Sequence, residues 1–277
     1  MGFSKKNGVE ESLIKKYFSI PKRRVKFIMS PTIKRKSVSY TSTTFNFESE
    51  TTVESTTSSW SPSSNYVEWA NGSNAVDGTF WGLISNKTVE GWDLATDTTP
   101  SSQTGARGGA TEPSGVNSTA TSSDNFLYTE ASNSQNTRCF VTRTPSFNFG
   151  DIISYVGNNL RLEFWVNGYG SQQHDLYVYI STSSTSNDSQ ATLIETFTHS
   201  HSGSNNGGTS TLTKESDSST YTFVTYSGSV WRKVQVDLND YKDTDNTYYI
   251  YFVAQNGTGF RADMSIDEIK ICEENVV

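Results

Sequence analysis

Residues 160–170 read LRLEFWVNGYG, and this stretch decides the fold. Leu160, Leu162, Phe164 and Val166 alternate with Arg161, Glu163, Trp165 and Asn167. A period of two puts each set on its own side of a β-strand, so the spacing predicts a strand with one face in a core. The pattern breaks at Gly168-Tyr169-Gly170, as a strand entering a tight turn does.

The same reading extends along the chain. Strand-length runs begin near Thr43 with TTFNFES and continue through YVEWA (66–70), TFWGLI (79–84), NFLYTEAS (125–132) and TRCFVTRT (137–144). After the opening strand come HDLYVYIST (174–182), ATLIETF (191–197), TYTFV (220–224), VWRKVQVDL (230–238), TYYIYFVAQ (247–255) and MSIDEIKIC (264–272). Leu176, Val178 and Ile180 alternate with Tyr177 and Tyr179; Val234, Val236 and Leu238 alternate with Gln235 and Asp237. Roughly a dozen short strands between Gly/Ser/Asn-rich turns predict an all-β, antiparallel two-sheet sandwich of jelly-roll type over 43–277. Three Ser/Thr-rich stretches, Thr96–Asp124, Ser181–Ser189 and Ser200–Thr220, hold little apolar matter and read as long surface loops.

Composition agrees. Aromatic residues make up 13% of the chain and charged residues only 18%, a balance that suits strands with long polar loops better than a helical enzyme. The net charge of -7 hides an asymmetry. Residues 1–40 carry eleven Lys/Arg and two Glu, leaving eleven basic and 27 acidic residues in the remainder. Residues 1–42 therefore read as a basic docking arm. Within it, 8–18 is expected to form a short helix, with Asn7 as cap, Glu10 and Glu11 in the first turn and Lys15 and Lys16 in the last. Leu13, Tyr17 and Phe18, then Lys22, Arg23, Arg24, Phe27 and Ile28 between Pro21 and Pro31, combine charge with apolar surface. That mixture favours an acidic or apolar protein lattice over nucleic acid as partner. The run Val25–Met29 is too short for a secretory core or a membrane span, so neither an ordinary signal peptide nor membrane insertion is expected.

Catalysis finds little support. Glu130, Glu163 and Glu195 fall on separate predicted strands, and no nucleophile elbow, phosphate loop or Cys/His cluster is present. His199 and His201, two of three histidines, read as surface residues of a Ser/Gly-rich loop. A structural calcium ion is the cofactor the sequence allows: Glu48 and Glu50 near the first strand, with Asp263, Asp267 and Glu268 near the last, converge if the terminal strands are neighbours. Cys139 and Cys272 read as buried thiols, with one bridge left open. Trp60, Trp69, Trp81, Trp92 and Trp231 are candidates for a sugar platform, although tryptophans of a sandwich are more often core.

FWVNGYG (164–170) resembles the F-W-Y-H-M-Y-G signature of MAM domains, extracellular adhesion modules with a jelly-roll fold. FNFE (45–48), Trp92-Asp93, Thr104-Gly105, NFLYTEAS, WRKVQVDL and SIDEIKI (265–271) resemble further family blocks in the family's order, over about 43–272. Phe45 and Arg161 stand where the family has cysteines, and Cys139 and Cys272 do not restore that pairing. The resemblance implies an adhesion sandwich without the family disulfides, which fits assembly inside a cell. With the basic arm, this leads to the expectation of a non-enzymatic bacteriophage structural protein. The arm would hold it to other virion proteins in a homo-oligomer or larger assembly. The sandwich would be displayed toward host surface glycans. The alternative is a bacterial cell-surface carbohydrate-binding or adhesion module.

Overall fold

The computed structural model describes residues 42–45, 70–71, 88–96, 117–119, 125–129, 138–152, 159–168, 170–172, 175–185, 190–204, 207–224, 230–255 and 261–274. These lie in one compact unit, Val38–Val277. The helix expected over 8–18 and the docking residues Leu13 to Ile28 lie outside the described residues. So do Glu48, Glu50, Glu130, Trp60, Trp69, Trp81 and the run TFWGLI.

The strands are β1 (Ser42–Phe45), β2 (Ala70–Asn71), β3 (Thr88–Glu90), β4 (Asp93–Thr96), β5 (Asn117–Thr119), β6 (Asn125–Tyr128), β7 (Arg138–Arg143) and β8 (Phe147–Asn148). They continue as β9 (Asn159–Gly168), β10 (Asp175–Ser181), β11 (Thr192–Ser202), β12 (Thr209–Lys214), β13 (Thr220–Val224), β14 (Val230–Asp237), β15 (Thr247–Gln255) and β16 (Met264–Glu274). Among the described residues they form two sheets. One is seven-stranded, in the order β4-β6-β16-β9-β14-β5, with β1 also on β16. The other is nine-stranded, in the order β13-β12-β11-β10-β15-β7-β2, with β3 on β7 and β8 on β15. The fold is the all-β sandwich the alternation predicts. Pairing is antiparallel except for β3 and β7, which run parallel.

The opening stretch becomes β9, at the middle of the seven-stranded sheet. Leu160, Leu162, Phe164 and Val166 enter the core between the sheets. There the Phe164 ring meets Phe252 and Phe197 of the opposite sheet edge-on, with centroids 5.2 and 6.1 Å apart. Such contacts add to the roughly 1.5–3 kcal/mol that each fully buried apolar side chain contributes. One expectation needs correction: β9 is not half-buried. Glu163, Trp165 and Asn167 on its other side are buried as well, Trp165 within a second cluster containing Phe126, Tyr128 and Trp231. Phe126 packs edge-on against Trp231, at 5.7 Å and 74°.

The turn after β9 is set by contact. A Cβ on Gly170 would lie 1.8 Å from the Arg261 carbonyl oxygen and 2.4 Å from its carbon, so only glycine fits. This approach joins the end of β9 to the start of β16: Gln172 N donates to Arg261 O at 2.9 Å. Ser210 Oγ of β12 donates to Gly170 O at 2.5 Å, tying in the other sheet.

Trp92 marks the point where the chain changes sheets. β3 pairs with β7 in the nine-stranded sheet, and β4 pairs with β6 in the seven-stranded one. Between them Trp92 is 0% exposed, and its Nε1–H donates to Phe140 O at 3.2 Å. Trp231 is also 0% exposed, so neither tryptophan is a sugar platform.

Two loop assignments are overturned. Ser200–Thr220 contains the end of β11, all of β12 and the first residue of β13, and Thr96–Asp124 contains β5. The stretch TSTLTK is poor in apolar residues, yet its β-branched threonines suit a pleated surface and Leu212 alone supplies the core contact. Glycine at 203 and 208, with φ of 104° and 110°, closes the β11–β12 hairpin. His199 and His201 therefore sit in a strand and not in a loop.

Candidate functional site

The outer side of the nine-stranded sheet is the candidate binding face. Strand register brings together residues far apart in sequence. Val141, Val253, Tyr177 and Thr196 form one row across β7, β15, β10 and β11; Arg143, Tyr251, Tyr179 and Leu193 form the next. Cys139, Gln255 and Asp175 flank the first row, and Tyr249 with Ser181 flanks the second. The tyrosine and valine centre of this patch is buried, with Val141, Val253, Tyr177, Tyr179 and Tyr251 each at most 9% exposed, so only its margins offer groups to a ligand. Its rim is accessible: the Arg143 guanidinium lies 4.6 Å from the half-buried Tyr249 ring, and its Nε donates to Ser184 O at 2.7 Å. Tyr251 Oη donates to Ser183 O at 2.8 Å.

At the other end, the Tyr177 hydroxyl is 3.3 Å from Gln255 Oε1 and 3.5 Å from Asp175 Oδ2. Burial, then the charge of Asp175 and a hydrogen bond to it, push the Tyr177 pKa up to about 12, so it stays a neutral donor. Beyond Asp175 the face becomes a hydroxyl array. Thr198, Thr213 and Thr220 form one row, and Ser200, Thr211 and Thr222 the next. Strands stand about 4.8 Å apart, so each row sets hydroxyls at a spacing suited to several sugar rings. Such groups donate and accept, as sugar hydroxyls do. Leu193, 45% exposed, is the large apolar residue this surface shows to solvent among the described residues.

The outer side of the seven-stranded sheet holds the acidic candidates. Ser265 pairs with Asn167 and Asp267 with Trp165, so Ser265 and Asp267 share one side of β16, and Asp263 lies in the segment just before the strand. Asp263, Ser265 and Asp267 are each 1% exposed. Asp267 Oδ1 accepts from the Glu268 backbone N–H at 2.7 Å, at a bulge where Glu268 adopts φ of 46°. Ser265 Oγ is buried without a hydrogen-bond partner. β1 lies beside β16, with Phe45 opposite Ile269, so the terminal strands are neighbours. Among the described residues, no group of three or more His, Cys, Asp or Glu is placed to hold a metal.

The remaining carboxylates are held by structural partners. Glu163 Oε1 binds Arg161 Nε and Gln235 Nε2, and Oε2 binds Lys233 Nζ, each at 2.7 Å. Burial raises its pKa, but the Lys233 hydrogen bond and charge, with Arg161 and Gln235, outweigh this and hold it below the ordinary value. Glu195, in the opposite sheet, accepts from Ser216 Oγ at 2.5 Å and from Thr196 N at 3.0 Å, with Lys214 Nζ 3.8 Å away. The two glutamates are not a catalytic pair. Cys139 of β7 and Cys272 of β16 lie in different sheets as buried, unbridged thiols.

The tyrosine and threonine face was missed from sequence because its rows run across strands. The available signal was the repeated Tyr-x-Tyr in β10 and β15, whose matching register only pairing reveals.

No family model matches the chain, and no curated protein sequence does. Solved structures similar to it are β-sandwich adhesin and carbohydrate-binding modules. The K1 cleaved adhesin domain of Lys-gingipain from Porphyromonas gingivalis W83 is 16% identical, with 83% of this chain and 97% of that one covered, at a TM-score of 0.40. The carbohydrate-binding module TmCBM27, described for specific mannan recognition, is 9% identical, with 86% and 99% covered, at 0.34. The non-crystalline cellulose-specific module CBM28 is 12% identical, with 71% and 96% covered, at 0.28.

Proposed function

We propose that this chain is a non-enzymatic, MAM-like adhesion module that binds neutral polysaccharide across the outer side of its nine-stranded sheet. The observation that carries this reading is the set of half-buried and exposed groups running from Asp175 and Gln255 to the Thr/Ser rows of β11–β13, with the half-buried Arg143–Tyr249 pair on the far side of the buried tyrosine and valine patch. Its chemistry is hydroxyl, amide and aromatic, with one carboxylate and one guanidinium, which suits uncharged sugars. The test is a glycan array with the wild type, Asp175→Ala and Tyr249→Ala. Selective binding of neutral glycans that weakens about tenfold or more in both variants supports the reading. Binding that both leave unchanged overturns it.

A second reading is favoured by the charge asymmetry between residues 1–40 and the remainder. In it the arm anchors the module to an acidic protein lattice, as in a phage particle, and the sandwich is carried outside. Deleting residues 1–40 then abolishes incorporation into particles; undiminished incorporation removes this reading. In either setting, Asp263 and Asp267, with Glu48, are proposed to hold a structural calcium ion, using the oxygen-rich segment that includes the orphaned Ser265 hydroxyl.

A further inference from the structure

We propose that His199 and His201 form a binding site for a borderline transition-metal ion, zinc being the probe, at the end of the sandwich where β11 and β12 run past β10. The chain has only three histidines, and two of them stand two residues apart in β11. Register puts both on the inner side of that strand: His199 is opposite the core residue Leu212, and His201 is opposite Ser210. Residues at i and i+2 lie about 6.7 Å apart along a strand, so two imidazoles leaning together can reach one ion with metal–nitrogen bonds of about 2.1 Å.

Three features of the pair suit a ligand. His199 Nε2 is buried and has no hydrogen-bond partner. An orphaned buried ring nitrogen is destabilising unless something satisfies it, and a metal ion does so directly. His201 is held only by long contacts, Nε2 at 3.3 Å from Ser204 O and Nδ1 at 3.5 Å from Ser210 Oγ. Its ring can turn toward an ion at little expense. Ser171, next to the close Gly170–Arg261 approach, also carries a buried hydroxyl without a partner. Ser171 follows Gly170, whose carbonyl accepts from Ser210 Oγ, the same hydroxyl that lies 3.5 Å from His201 Nδ1, so this end of the sandwich also holds a hard oxygen.

Asp175 lies close to the pair, since its Oδ1 accepts the His199 backbone N–H at 2.7 Å. This site is distinct from the Asp263–Asp267 segment, which offers oxygen only and would take a hard cation.

The test is isothermal titration of the untagged full chain with zinc, with calcium as the control titrant. One zinc per chain is expected at pH 7.5, weakened at least about tenfold by His201→Ala and by His199→Ala. His201→Ala keeps the claim testable should His199→Ala fail to fold, because the present His201 contacts are long. Circular dichroism verifies that each variant is folded. Absence of zinc binding by the wild type at millimolar zinc overturns the site. So does zinc binding that folded His201→Ala leaves at wild-type strength.

Discussion

Gly170→Ala places a methyl group where the chain leaves no room for one. The added Cβ would sit 1.8 Å from the Arg261 carbonyl oxygen, 2.4 Å from its carbon and 3.1 Å from its Cα, all backbone atoms that no rotamer change can move aside. Relief requires the β9 end and the segment before β16 to part by about 1.5 Å, given an ordinary contact near 3.5 Å. That movement strains the Gln172 N–Arg261 O bond of 2.9 Å and the Ser210 Oγ–Gly170 O bond of 2.5 Å. Two hydrogen bonds at about 1 kcal/mol each, with about 1–2 kcal/mol of overpacking, give a loss of about 3–4 kcal/mol. Guanidinium unfolding measures it, with an accompanying fall in Tm on the order of 10 °C. Gly150→Ala is the internal control. Its Cβ would meet Asn148 Oδ1 at 2.9 Å, the end of a side chain that can yield, so a loss below about 1 kcal/mol is expected. Equal and small losses for the two variants would refute the assigned approach of Gly170 to Arg261.

Other expectations follow from single contacts. Trp92→Phe removes the Nε1–H donation to Phe140 O and part of a fully buried ring where the chain changes sheets, and should cost about 2–4 kcal/mol in denaturant unfolding. Glu163→Gln leaves Arg161 and Lys233 without their carboxylate, a loss of about 3–5 kcal/mol at pH 7. Because the folded-state pKa of Glu163 lies below the ordinary 4.5, its stabilisation is complete above that value and disappears as pH falls through the folded pKa. The gap between wild type and variant should therefore close in unfolding curves taken progressively below pH 4.5. If Asp263 and Asp267 hold calcium, chelation lowers the wild-type Tm and leaves Asp267→Asn unchanged; equal responses to chelator would remove the calcium assignment.

How much of this was legible in the sequence depends on the range of the signal. LRLEFWVNGYG declares a strand because two-residue alternation is local, and its core-facing residues are the ones that enter the core. Its second buried side was not legible. Trp165 and Asn167 are common on wet strand faces, and only packing with Phe126, Tyr128 and Trp231 shows them covered. The end of β11 and all of β12 read as loop because Ser, Thr and Gly dominate them, and composition outweighs the Thr-x-Thr and Leu212 pattern of β12. The short β3 and β4 were missed because three or four residues carry too little periodicity. The candidate face was the hardest to see: Val141, Tyr177, Thr196 and Val253 meet only through register between strands as far apart in the chain as β7 and β15.

Hydrogen–deuterium exchange of the full chain, with and without the best-bound neutral glycan, shows which sheet carries the sugar. The account predicts slowed exchange in β10, β11 and β12, around Asp175–Tyr179 and Thr196–Thr213, with β9 and β16 unchanged. Protection confined to β9, β14 and β16 of the seven-stranded sheet would contradict it, and so would no change in either sheet at saturating glycan.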